Sequence, residues 1–402
     1  MKFKLEIKGD STLWILTAIL ALVGTITVYS ASSNLAFSGG ASTLVDLAKH
    51  LFFIGAGFGL MYAVHRVDYN LFGSFSRLLL VPVAILLVYT LANGVNVSNA
   101  SRWIRLPMGQ TFQTSALASV VLITYLARYL ALRSKEELRS FKATFLPLIF
   151  PILLVVGLIL PANFSTAALI FGVSFLLLFI GGYAIKNLFI LAGSGLVALA
   201  IFVALVYAFP NMSNRVATWK TRIESFSSGD SAENYQVTKA KMAIAEGQYL
   251  GKGPGKSALK NFLPQSNSDF IFAVIVEEWG TLGGGLIIVV FIWILFRFLR
   301  IANRAKTSFG SLLSLGLGLV ILAQAFVNLS VAVNLIPVTG QTLPLVSKGG
   351  TSIWMTAIAL GMIQSVSRGK SQSNSSLDDE ALNIESPSEE IPAPNPENLS
   401  HV

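Results

Sequence analysis

Uninterrupted apolar runs of about 20 residues recur along this chain, each long enough as a helix to cross a hydrocarbon core about 30 Å thick. They fall at about 12–31, 47–64, 76–94, 113–132, 143–160, 164–182, 187–209, 270–298, 309–333 and 350–367. None alternates apolar with polar residues, which excludes a transmembrane barrel. A chain with 53% hydrophobic and 12% charged residues also excludes a water-soluble fold. The sequence therefore reads as an all-α polytopic membrane protein. It has about ten transmembrane helices and one large extracytoplasmic loop, 210–269. Residues 1–11 precede the membrane domain 12–368. The first run lacks a small-residue cleavage site and reads as a retained helix.

Charge sets the sidedness. Loops bearing His65-Arg66 and Arg77, Arg133 to Lys142, Lys186, and Arg297 to Lys306 alternate with loops of low charge. The positive-inside rule assigns the basic set, with both termini, to the cytoplasm. Two polar inserts, 95–112 and 210–269, then face outward, and the second has a helical pattern around Tyr235–Gly247. The segment 369–402 holds one lysine and seven acids. It reads as a disordered acidic cytoplasmic tail. No soluble basic domain exists to hold nucleic acid. The chain has no cysteine, so disulfides and thiolate metal sites are excluded, and its three histidines are scattered.

Asp269, in Ser266-Asn267-Ser268-Asp269-Phe270, stands where a polar loop meets an apolar run. An acid at a membrane boundary is a candidate working group. Two readings are open: a general base near cations, or an N-cap for the following helix. Glu277 and Glu278 lie two turns further on. Either Glu278 lines a groove, or both acids stand wet above the hydrocarbon. Arg102 and Arg105 flank Trp103 and either grip an anionic lipid group or anchor the interface. Arg215, Arg222, Lys239 and Lys256 of the long loop invite the same choice between ligand contact and solvated charge. Lys252-Gly-Pro-Gly-Lys256-Ser257 imitates a phosphate-binding loop, but Leu250 stands where its first glycine is required. A glycine-rich turn is the better reading. The stretch Asn334–Gly340 with Pro344–Ser352, including Ser347 and Lys348, interrupts two apolar runs. It reads as a re-entrant wall of a polar cleft, or as an ordinary loop.

Taken together, these segments resemble the SEDS (FtsW/RodA/SpoVE) family of bacterial cell-wall polymerases, from about residue 12 to 368. The resemblance is carried by Arg102-Trp103-Ile104, Phe112-Gln113-Thr114-Ser115, Pro161 to Ala167, Tyr235-Gln236, Gly251-Lys252-Gly253, Ser268-Asp269-Phe270-Ile271-Phe272, Glu277-Glu278-Trp279-Gly280 and Leu343 to Gly350. It implies a peptidoglycan glycosyltransferase in the bacterial inner membrane that polymerises lipid II, an undecaprenyl-diphosphate-linked sugar. It also implies Asp269 as the catalytic base of an inverting reaction, and a divalent cation (Mg or Mn) as an option at the diphosphate. The implied partners are a class B penicillin-binding protein (an FtsI-like transpeptidase) and other divisome proteins. The acidic tail favours the FtsW-like division branch at the septum. The alternatives are the RodA-like elongation role and a lipid II flippase. The chain departs from the family pattern in three places. Gln113 to Ser119 lacks the two usual charges, Asn163 stands near Pro161 where a Pro-Asp pair is usual, and Lys348 replaces a tyrosine.

Overall fold

The computed structural model describes residues 8–32, 43–97, 100–105, 110–208, 232–258 and 267–384. Each of the ten apolar runs becomes a helix. They are α1 Ser11–Ser32, α2 Thr43–Arg66, α3 Tyr69–Asn93, α4 Thr114–Leu132, α5 Phe141–Ile159, α6 Phe164–Ile180, α7 Ile185–Ala208, then, after the amphipathic α8 Ala232–Gly247, α9 Ile271–Asn303, α10 Ser308–Ala332 and α11 Thr351–Ile384. Among the described residues, seven helices are long and apolar enough to span a membrane by length and composition, and two shorter apolar helices accompany them. Leu78, Val81, Ile85 and Phe189 turn their side chains outward, as lipid-facing positions require.

The helices begin where short polar side chains supply caps. Asp10, Asp68, Asn163 and Thr307 accept from the first-turn N–H groups of α1, α3, α6 and α10. A single-turn helix Lys135–Arg139 opens with a full capping box, Ser134 with Glu137. Its hydrogen bonds, first from the Ser134 backbone and then from Arg133, hold the Glu137 carboxyl below its ordinary range.

Inside α5, Pro151 has no N–H to donate to the Pro147 carbonyl, and the helix widens to π geometry over Phe145–Ile149. Tyr125 of α4 donates its hydroxyl to that carbonyl at 2.6 Å, which ties α4 to α5.

α2 packs along α11, α3 along α4, and α10 against both α4 and α9. The buried core runs through these contacts, with Leu122, Ile123 and Leu126 of α4 and Phe298 of α9 almost fully enclosed.

Two features lie beyond what hydropathy displays. The insert after α3 forms a three-stranded antiparallel sheet, β1 Val95–Val97, β2 Ala100–Arg105 and β3 Thr111–Gln113, in the order β1-β2-β3. Thr351 fastens it to the start of α11, accepting from Gln113 N and donating to Thr111 O. The last helix also runs to Ile384, so 369–384 of the expected disordered tail is helical. Extending a helix that is already anchored needs no new nucleus. Residues 385–402 lie outside the described residues.

Candidate functional site

Asp269 sits in a tight turn, Asn267 to Phe270, immediately before α9. The helix is capped at Phe270 with no side-chain hydrogen bond, so Asp269 is not its N-cap.

Three braces grip the turn by its main chain. Lys348 N donates to Asn267 O at 3.0 Å, and Ser347 Oγ donates to Ser268 O at 2.7 Å. Asn328 Nδ2 of α10 donates both to Asp269 O at 3.0 Å and to Gln341 O at 2.8 Å. Gln341 in turn donates to Thr166 of α6 at 2.7 Å. The backbone around the acid is therefore fixed from α6, α10 and the Leu343–Lys348 segment at once.

That segment lies deep. A Cβ placed on Gly24, midway along α1, would stand 2.7 Å from the Val346 backbone. The interruption between α10 and α11 is the expected cleft wall rather than an external loop.

A cavity of about 290 Å³ opens beside the turn, lined by Asp269 and Asn267, Arg102 and Trp103 of β2, Gln324 of α10 and Lys348, among others. Asp269 is buried, at 8% exposure, yet contributes to this wall. Gly340 sets how Arg102 and the acid meet. Its φ of +70° is in the left-handed region, and a Cβ there would lie 3.4 Å from Arg102 Nη1 and 3.6 Å from Asp269 Oδ2. A guanidinium and a carboxylate thus share one small space, with Arg102 Nε anchored to Ala162 O at 3.1 Å. Lys348 adds a second cation to the lining, held by Asp46 of α2 at 3.0 Å.

The other sequence candidates fall elsewhere. Ser347 braces the turn and does not line the cavity. Arg105 ends β2, exposed and away from the lining. Lys239 lies over the Tyr235 ring of its own helix at 5.4 Å. Lys256 is exposed in the glycine-rich turn, where Gly251, Gly253 and Gly255 all take positive φ. Arg215 and Arg222 lie outside the described residues.

Glu278 requires a correction. It is neither wet nor part of the cavity wall but buried at 1%, accepting from Ser30 Oγ and from Ser257 N. The cause is a break in α9 at Gly280, where φ is +71°. Residues 248–253 fill the break. Thr281 N donates to Gln248 O at 2.8 Å, Lys252 N to Glu277 O at 2.9 Å and Gly253 N to Glu278 O at 3.0 Å. The two glutamate side chains then clamp the same loop.

Sequence reading missed Gln324, Asn328 and Gln341. Gln324 and Asn328 stand four residues apart within an apolar helix, which places two amides on one face at membrane depth. That spacing was the available signal. Among the described residues no group of three or more acids or histidines converges to hold a metal.

The cell cycle protein family of FtsW, RodA and SpoVE matches residues 10–372. Stage V sporulation protein E of Bacillus subtilis is 34% identical, over 89% of this chain and 97% of its own length. A probable peptidoglycan glycosyltransferase FtsW of Trichlorobacter lovleyi is 34% identical over 90% of this chain and 93% of that protein. Among solved structures, a chain of a peptidoglycan synthase complex, described as coordinating polymerization and crosslinking, superposes with TM-score 0.73 at 25% identity. That match covers 90% of this chain and 99% of the other. The rod shape determining protein RodA of Thermus thermophilus shares the fold, with TM-score 0.65 at 23% identity, covering 90% of this chain and 97% of RodA.

Proposed function

This chain belongs to the FtsW/RodA/SpoVE family, and from that premise we propose that Asp269 is the general base of its glycosyl transfer. The chain is a multi-pass membrane protein and a peptidoglycan glycosyltransferase. The substrate we assign is lipid II, and the product a glycan strand grown at the outer membrane face.

A single observation carries this reading: the Asp269 carboxylate and the Arg102 guanidinium converge on one polar cavity within an apolar bundle. The acceptor sugar's 4-hydroxyl attacks the anomeric carbon of the diphosphate-linked donor. Asp269 takes the hydroxyl proton as the new C–O bond forms. The bond from the anomeric carbon to the diphosphate oxygen breaks, and the leaving diphosphate takes its electrons. Attack opposite the leaving group inverts the centre. One carboxylate suffices because a diphosphate departs without needing a proton from the protein. Arg102, with Lys348 in the same cavity lining, stabilises the charge that develops on the leaving group.

The finer assignments are our own: the alternation of basic and weakly charged loops supports the sidedness, and likeness to a chain of a peptidoglycan synthase complex supports a crosslinking partner. We place the protein at the division septum, with both termini in the cytoplasm and a class B penicillin-binding protein as its crosslinking partner. The test is glycan synthesis from fluorescent lipid II by purified protein with that partner. Asp269→Asn should abolish polymer while the variant still folds and binds the partner. Undiminished polymer from the variant would remove Asp269 from the chemistry. Unaltered lipid II translocation with no polymer from either protein would favour a flippase.

A further inference from the structure

A second cavity, about 370 Å³, lies at the far end of the bundle from Asp269. From Thr281 to Asn303, α9 rises about 34 Å at 1.5 Å per residue, more than the hydrocarbon thickness. The cavity therefore sits at the opposite membrane surface. It is bounded by Gly9 to Thr12 at the start of α1, by the end of α9, and by Val366 and Ser367 of α11.

Three arginines enter it: Arg297, Arg300 and Arg304. Arg297 is already engaged. Its Nε donates to Asp10 Oδ1 at 3.0 Å and its Nη2 to Oδ2. Asp10 also caps α1 through Leu13 N, and Gln364 clasps its backbone at 2.8 and 2.9 Å. This cluster is a fixed wall.

Arg300 and Arg304 are exposed, and among the described residues neither has an ion-pair partner. One and two turns back from Arg300 along the same helix, Phe296 and Trp293 are 62% and 52% exposed, where hydrocarbon would cover them. The face thus passes from exposed aromatics to exposed arginines that line one cavity at the membrane boundary. The positive-inside rule accounts for cations at such an end. It does not account for two of them directed into one cavity whose third arginine is neutralised from within.

We propose that this cavity binds a phosphate-ester anion, supplied by an anionic phospholipid whose chains lie along Trp293 and Phe296. Guanidinium forks match phosphate oxygens in pairs, and basic pockets between membrane helices suit lipid headgroups.

Full-length protein in nanodiscs provides the test, by phenylglyoxal labelling of arginines read site by site with mass spectrometry. Phosphatidylglycerol should protect Arg300 and Arg304 at least fivefold relative to phosphatidylcholine of the same chains, while Arg133 labels equally in both. Phosphatidylglycerol retention in native mass spectrometry should fall about 10- to 30-fold in Arg300→Gln/Arg304→Gln, from roughly 1 kcal/mol per cation. Lys306→Gln, outside the cavity, should retain the lipid. Equal protection by millimolar inorganic phosphate in phosphatidylcholine discs would keep the phosphate site and overturn its lipid source. Equal labelling under every condition overturns the site. Protection in phosphatidylcholine discs that vanishes on truncation after Gly369 also overturns it, and gives the cavity to the acidic tail.

Discussion

Asp269 and the Glu277–Glu278 pair stand two turns apart at the same end of α9, and all three are buried. Their surroundings differ in kind. Asp269's turn is held by its carbonyls, through Asn328, Ser347 and the backbone of Lys348, and its side chain contributes to a cavity wall. The Glu277 carboxylate accepts from Lys252 Nζ at 2.9 Å, from Ala258 N at 2.8 Å and from Ser257 Oγ. Burial of an acid at a membrane boundary therefore does not by itself mark chemistry. What separates the two is whether the fold grips the main chain and directs the side chain into a cavity, or uses the carboxylate as a fastener.

The largest expected effect follows directly. Asp269→Asn should lower polymerisation by about 10²- to 10⁴-fold, the usual contribution of a positioned base, with no loss of thermal stability. Glu277→Gln should do the reverse. Breaking a buried pair costs about 3–5 kcal/mol when a charge is left unmatched. Neutral glutamine keeps an acceptor for Ser257, and Lys252 is partly exposed, so the loss should lie at or below the lower end. Rate per folded molecule should stay within a few-fold of wild type. Both are read from lipid II turnover and melting curves on the same preparations. Equal loss of rate in the two variants would erase the distinction.

The cations come next. Arg102→Gln should reduce turnover by about 10²-fold if it stabilises the departing diphosphate. Lys348→Ala should cost less than about tenfold, because its ammonium is shared with Asp46 and only a third exposed. Full activity in Lys348→Ala would exclude it as the cation standing in for the family's tyrosine.

Two glycines extend the comparison to the backbone. Gly340→Ala introduces a side chain at positive φ against Arg102 and Asp269, at a backbone cost of about 1–3 kcal/mol. Its effect should fall mainly on turnover. Gly251→Ala places a Cβ 2.3 Å from the Glu278 carbonyl oxygen, also at positive φ. It should release the loop from the α9 break and be read in stability or proteolysis at 248–258.

The helices were legible because length and hydropathy dictate them, and Asp269 was legible because a lone acid stands out at the edge of an apolar run. The fate of Glu278 was not. Adjacent acids look alike in sequence, and only the break at Gly280, with the loop folded into it, separates a fastener from a groove residue. The sheet at Val95–Gln113 escaped for a related reason. Its strands are three to six residues long, too short for an alternating pattern to show, and the sheet is fastened to the last helix by non-local contacts such as Thr351 with Thr111. Arg102 could be proposed from its position beside Trp103. That it meets Asp269 across Gly340 is a tertiary fact.

The smallest expected effect concerns pH. Hydrogen bonds from Lys252 to Glu246 and then to Glu277 raise the lysine above its ordinary value of 10.5. A group whose pKa is higher folded than unfolded contributes fully below the unfolded value and is lost as pH rises through the folded one. The loop clamp should therefore be constant through neutral pH and weaken only in alkali above 10.5. Catalysis by an ionised Asp269 should instead fail on the acid side, as the base becomes protonated. Melting curves of wild type and Lys252→Met should differ at neutral pH by about 3 kcal/mol at most, because the buried Glu277 loses its cation but keeps Ser257 and Ala258 as donors, and converge in alkali. The fall in polymerisation on acidification should be the same in both proteins. If Lys252→Met moved that acid limb, the loop and the cavity would be electrostatically coupled, and the two carboxylate regions would have to be treated as one.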